Sequence, residues 1–182
     1  MNMIDHGNMV HQYYSDLIGS RNYEWDFGKV GQMVDDLIPS AFSKEYMKNY
    51  QVYHDCGKPH CRTVDEQGKQ HFPNHAQVSY NVWLQAGGDP ETAWFILHDM
   101  DFHTLKGDDL NDILSDPRSI SLLLTAWAEI HANAQMFGGI DSTSFKIKRK
   151  HLEKQTKLVH QELNKLSRGL ENDNRINFKT ET

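Results

Sequence analysis

With 182 residues, two cysteines and a formal net charge of -6, the chain is large enough to bury one core without disulfide staples, and it lacks the basic surplus that broad attraction to nucleic acid needs. No apolar run approaches the length of a bilayer span, and Met1 to His6 carry neither the basic start nor the apolar run of a secretory signal. The expectation is a soluble protein of the reducing cytoplasm, with no membrane partner.

In chain order, Met9, Val10, Tyr13, Tyr14, Leu17 and Ile18 recur at helical spacing and predict a helix over 8–18, closed by Gly19-Ser20. Val30, Met33, Val34, Leu37 and Ile38 repeat the pattern before Pro39 ends it. Ser40 is the expected cap of a third helix carrying Phe42, Tyr46, Tyr50 and Tyr53, which ends at His54-Asp55, with Gly57 placed for a left-handed turn. The polar stretch from Pro59 to Gln70 reads as a loop or short hairpin. Asn74 is the expected cap of a helix with Val78, Val82 and Trp83, stopped by Gly87-Gly88.

Asp89-Pro90-Glu91 gives a capping aspartate, a proline at the first helical position and an acidic first turn, predicting helix from Thr92 to about Phe102. Asp116-Pro117 repeats that signal ahead of the most apolar stretch, Ile120 to Met136, which Gly138-Gly139 terminates. Ser142 or Ser144 opens a last helix with Phe145, Leu152, Val159 and Leu163, basic at its start over 146–150. Strand-like alternation is nearly absent. The reading is an all-α bundle of about six to eight helices in one domain over 1–170, followed by a polar tail over 171–182.

The 11 histidines are many for this length, and imidazole is both a metal ligand and a proton carrier near neutral pH. His54, Asp55, His75, His98 and a later carboxylate fall at helix ends or within helices that also carry apolar stripes, so a bundle could point them into one pocket. Imidazoles with carboxylates suit Mn, Fe, Co, Ni or Zn, and a carboxylate-rich site suits Mg. Plainer readings stand beside this one. His98 next to Leu97 fits a hydrogen-bonded core histidine, Glu129 fits a buried carboxylate satisfied by His131 or Asn133, and His71 and His103 fit supporting or surface positions. Cys56, His60 and Cys61 lack the second ligand pair that a zinc knuckle requires. The run 146–150 reads first as a solvated face.

The words His54-Asp55-Cys56-Gly57-Lys58-Pro59 with Arg62, then His71-Phe72-Pro73-Asn74-His75, resemble the HD-domain metal-dependent phosphohydrolases. They are most similar to the HD domains of tRNA nucleotidyltransferases and of bacterial polynucleotide kinase-phosphatases, over Tyr53 to Trp83 and more weakly through His98 and 126–134. The resemblance implies one or two divalent metal ions held by His54, Asp55, His75 and His98, and a substrate phosphate contacted by Lys58 with help from Arg62. It implies a closing carboxylate on a late helix, where Glu129 stands, with Asp99 or Asp101 as alternatives. It also places a ligand histidine on the helix before the pair, where His11 is the candidate. Asp55 and Lys58 are the catalytic expectation, and a nucleotide or phosphorylated nucleic-acid end is the expected partner. A di-iron oxygenase of the same fold and a non-catalytic nucleotide-binding module are the rival readings, and self-association is left open.

Overall fold

Asn2 opens the first helix with a side-chain cap, its Oδ1 accepting the Asp5 N–H at 2.9 Å. In the computed structural model, which describes residues 2–177, this helix α1 spans Met3–Ile18. It therefore begins five residues ahead of the start at residue 8 that the sequence predicts. Asp16 near its end folds the following segment back, accepting from the backbone N–H of Asn22 and Tyr23 and from Trp25 Nε1 at 2.7–2.9 Å.

Helix α2 covers Gly31–Leu37 and passes into a 3-10 turn over Ile38–Ser40. Ser40 ends that turn instead of capping α3, which spans Glu45–Tyr53 behind Lys44. Helix α4 is the single turn Lys58–Cys61, and the hairpin β1 (Thr63–Val64) with β2 (Gln70–His71) follows it. Helix α5 covers His75–Gln85. Asn74 stands before it in the left-handed region (φ 53°) and caps it with no side-chain bond. Helix α6, Pro90–Leu97, starts as the sequence predicts, with Asp89 Oδ1 accepting the Thr92 N–H at 2.8 Å. It stops at His98, and the chain continues through α7 (Asp101–Thr104), a 3-10 turn over Gly107–Leu110 and α8 (Asn111–Leu114). Helix α9 is Ser119–Met136, and α10 runs from Thr143 to Asn177 with Ser142 Oγ accepting the Phe145 N–H. Helix thus continues past Gly169 into the expected tail, whose residues 178–182 lie outside the described residues.

The architecture is all-α, with seven helices of seven residues or more among the described residues and one two-stranded hairpin. Helix α9 is its axis. Leu123, Leu124, Trp127 and Ile130 are buried along it, as a helix surrounded by neighbours requires. Helices α1 and α10 pack on it, α3 lies on α1, and α6 joins α3 to α5. No helix among the described residues is long and apolar enough to cross a membrane.

Two glycines set spacings that matter for the site. A Cβ on Gly7 would stand 2.3 Å from Val52 O, so only a glycine lets α1 approach α3 this closely. A Cβ on Gly57 would stand 2.3 Å from Ser79 N, and the Gly57 N–H donates to Ser79 Oγ at 2.9 Å. Gly57 has φ −84°, so its role is close approach to α5 and not the left-handed turn expected from sequence. Gly7→Ala should cost about 1–3 kcal/mol of stability, because the clash is with backbone that must move as a unit. A urea midpoint equal to that of the unsubstituted protein would refute the close-packing argument.

His131 on α9 carries a pH-dependent part of the stability. Its Nδ1–H donates to Trp127 O (2.8 Å), so its Nε2 lone pair accepts the Asp26 N–H (3.0 Å), and the ring is wholly buried. Burial pushes its pKa down to about 4. An unfolded histidine takes its proton near 6.5, so between pH 6.5 and 4 the unfolded chain binds more protons and folding weakens as pH falls. The loss across that window should reach roughly 3 kcal/mol, and His131→Gln should flatten the slope. Parallel urea midpoints from pH 7 to 4.5 in the two proteins would show that His131 carries none of it.

Candidate metal centre

Helix α3 delivers His54 and Asp55 at its C-terminal end, 2% and 4% exposed. The Gln51 carbonyl lies 2.8 Å from His54 Nδ1 and can only accept, so Nδ1 carries the proton and Nε2 presents a lone pair. That is how ligating imidazoles are commonly oriented. Phe72 O stands 3.2 Å from His75 Nδ1 and fixes that ring in the same sense, with Nε2 3.8 Å from Asp55 Oδ1. Lys58 Nζ donates to Asp55 Oδ2 at 2.6 Å. The other oxygen, Oδ1, is buried without a hydrogen-bond partner among the described residues, and so is His54 Nε2.

The third member comes from α1. His6 sets its ring edge-on to His54 with centroids 5.4 Å apart, and its Nδ1 is also buried and unpartnered among the described residues. His6, His54 and Asp55 can each offer one ligand atom such that these atoms lie within 4.8 Å of one another. Two ligands on opposite sides of an ion at about 2.1 Å each would be roughly 4 Å apart, so the spacing suits one shared ion.

Three carboxylates, Asp55, Asp99 and Glu129, act on this cluster. Burial would raise Glu129, but the His103 imidazole, 3.1 Å from its Oε2, holds the carboxyl well below the usual range. Asp99 is buried, accepts the Tyr50 O–H at 2.7 Å, and is raised by that burial and by the nearby Glu129 and Asp55 carboxylates. Burial disfavours protonated His54, but Asp99, Asp55 and Glu129 outweigh it and move its pKa upward. Orphaned nitrogen and oxygen donors inside a ring of carboxylates fit a divalent metal.

A cavity of about 760 Å³ opens above these groups, lined by His6, Asp55, Lys58, Phe72, Glu129 and Phe137 among others. Glu129 lines the same space as His6 and Asp55, and its Oε1 also accepts from Asn133 Nδ2 at 3.4 Å. Other expectations need correction. His98 and Asp101 bind each other at 2.6 Å, and the His98 ring lies 4.3 Å from that of Trp94, outside this cluster, because α6 ends at His98 and turns it away. Arg62 is exposed at the end of α4 and does not line the cavity. His11 donates from Nδ1 to Gln51 Oε1 at 2.7 Å, and Gln51 Nε2 donates to Thr125 Oγ1, so His11 braces α3 and lies outside the ligand cluster.

His6 is the site residue that periodicity misses, and His103, expected at a supporting or surface position, stands 3.1 Å from Glu129 Oε2. The Asn2 cap was the signal for an earlier helix start, which puts His6 on the helix expected to supply a ligand. Nothing local marks His103, which meets Glu129 only through packing of α7 on α9. Scanned against models of protein families, against curated proteins and against solved structures, the chain gives no match.

Proposed function

We propose that this chain is a metal-dependent phosphohydrolase of the HD type that releases a phosphate from a nucleotide or a nucleic-acid end in the cytoplasm. The observation that carries the reading is the set of three buried, unpartnered donors on His6, His54 and Asp55 beneath an open cavity, with the Lys58 ammonium beside them. His6 Nδ1, His54 Nε2 and Asp55 Oδ1 would hold one divalent ion, with His75 Nε2 lying 3.8 Å from Asp55 Oδ1 and Glu129 on the wall of the same cavity. Such an ion polarises a phosphoryl oxygen and lowers the pKa of water to supply hydroxide near neutral pH.

The chain's own groups do the rest. Lys58 bridges Asp55 and the cavity, so its ammonium can turn from the carboxylate to a phosphate oxygen and place the phosphorus over the donors. The Phe72 ring, 5.6 Å from Lys58 Nζ, limits where that ammonium can go. The Gln51 and Phe72 carbonyls keep the two imidazoles from rotating, which preserves the geometry between turnovers.

Metal content of the purified protein, followed by phosphate release from mononucleotides, cyclic nucleotides and end-phosphorylated oligonucleotides under Mn, Mg, Fe, Co, Ni and Zn, tests the reading. Stoichiometric metal with release of phosphate is expected. Nucleotide binding without product under every metal would overturn hydrolysis in favour of a binding module, and bound iron with oxygen consumption would overturn it in favour of the oxygenase chemistry.

A further inference from the structure

The cavity that takes in His6, Asp55 and Lys58 has a volume of about 760 Å³, several times what a phosphate group needs and within the range of pockets that take a whole small organic molecule. Its lining also includes the apolar Met3, Met136 and Phe137 alongside the polar Gln70, Asn133 and Lys148. Phe137 follows the last turn of α9 and is 70% exposed, the most open large hydrophobic side chain among the described residues. An exposed ring on the wall of a cavity that also holds polar catalytic groups is a surface for a flat ligand, because stacking and burial both favour covering it.

We propose that Phe137 is a specificity-determining residue that stacks on the aromatic ring of the leaving group, so that the site selects phosphoesters of ring-bearing alcohols such as nucleosides over those of simple sugars or polyols. The proposal rests on the phosphohydrolase reading for the position of the phosphate. It adds a leaving-group subsite at Phe137. The ring belongs to the same molecule as the phosphate because one continuous cavity joins Lys58 to Phe137.

The test compares equilibrium binding of AMP and of ribose 5-phosphate to the metal-loaded protein, by calorimetry, alongside phosphate release from both. Base stacking on an aromatic side chain contributes about 1–3 kcal/mol, so AMP should bind at least about fivefold more tightly than ribose 5-phosphate. Phe137→Ala should erase that preference while leaving ribose 5-phosphate unchanged, and Phe137→Trp should keep it. Because the side chain is largely exposed, the alanine variant should fold normally, and its urea midpoint serves as the control. Equal affinity for the two ligands in the unsubstituted protein, or a ring preference that survives Phe137→Ala, overturns the proposal. A ring preference lost in Phe137→Ala with no phosphate released sinks the hydrolase reading alone, whereas hydrolysis without ring preference sinks the stacking subsite alone.

Discussion

Asp55→Ala is expected to weaken divalent-metal binding by more than about a hundredfold and to abolish phosphate release, with helicity unchanged. Loss of a residue that merely supports a ligand typically costs 10–100-fold in affinity, so loss of a charged ligand should exceed that range. The substitution also frees the Lys58 ammonium from its 2.6 Å contact, and with a side chain 28% exposed it can turn to solvent without a large penalty. Asp55 lies just beyond the end of α3 and contributes no apolar area to the core, so far-UV circular dichroism should match that of the unsubstituted protein. Asp55→Asn keeps the shape and removes the charge, and it should fail nearly as badly. Stoichiometric metal in the alanine variant would remove the site as described.

Replacing His6 and His11 in turn separates two roles on one helix. His6→Ala should weaken metal binding by about a hundredfold or more, because it deletes one of three converging donors and not merely a group that supports one. His11→Ala should leave the metal titration nearly unchanged and instead cost about 1–2 kcal/mol of stability, since Gln51 is wholly buried and loses a hydrogen-bond partner. The two measurements are a metal titration and a urea unfolding curve on each variant. The opposite pattern, with His11→Ala losing metal and His6→Ala keeping it, would return the ligand role to His11.

The contrast between these histidines also shows where sequence reading gives out. Both lie on α1, and His11 falls inside the apolar stripe that marks the helix while His6 precedes it. Periodicity detects the part of a helix that buries a face, so a terminal turn held by a cap is invisible to it. The Asn2 cap is a weaker signal, and only the start of the helix hangs on it. Similarly, the Asp89-Pro90 and Ser142 starts were legible because a capping side chain acts within three residues. The cap expected at Ser40 failed because Ser40 ends a 3-10 turn, and Asn74 takes the cap position of α5 in the left-handed region without a side-chain bond.

His54, Asp55, Lys58 and His75 lie within 22 residues and on elements joined by short turns, so their spacing in the chain already limits them to one neighbourhood. Local patterns likewise suffice for the all-α class, since a run of amphipathic segments with almost no alternation leaves no sheet to build. Which of the distant histidines and carboxylates lie near one another depends on packing alone. Gly7 lets α1 close on α3 and carries His6 to His54, α9 brings Glu129 to the same cavity, and the early end of α6 spends His98 on Asp101. Those outcomes depend on which helix faces meet across gaps of 40 residues or more in several cases, and no periodicity along one helix encodes the rotation of another helix against it.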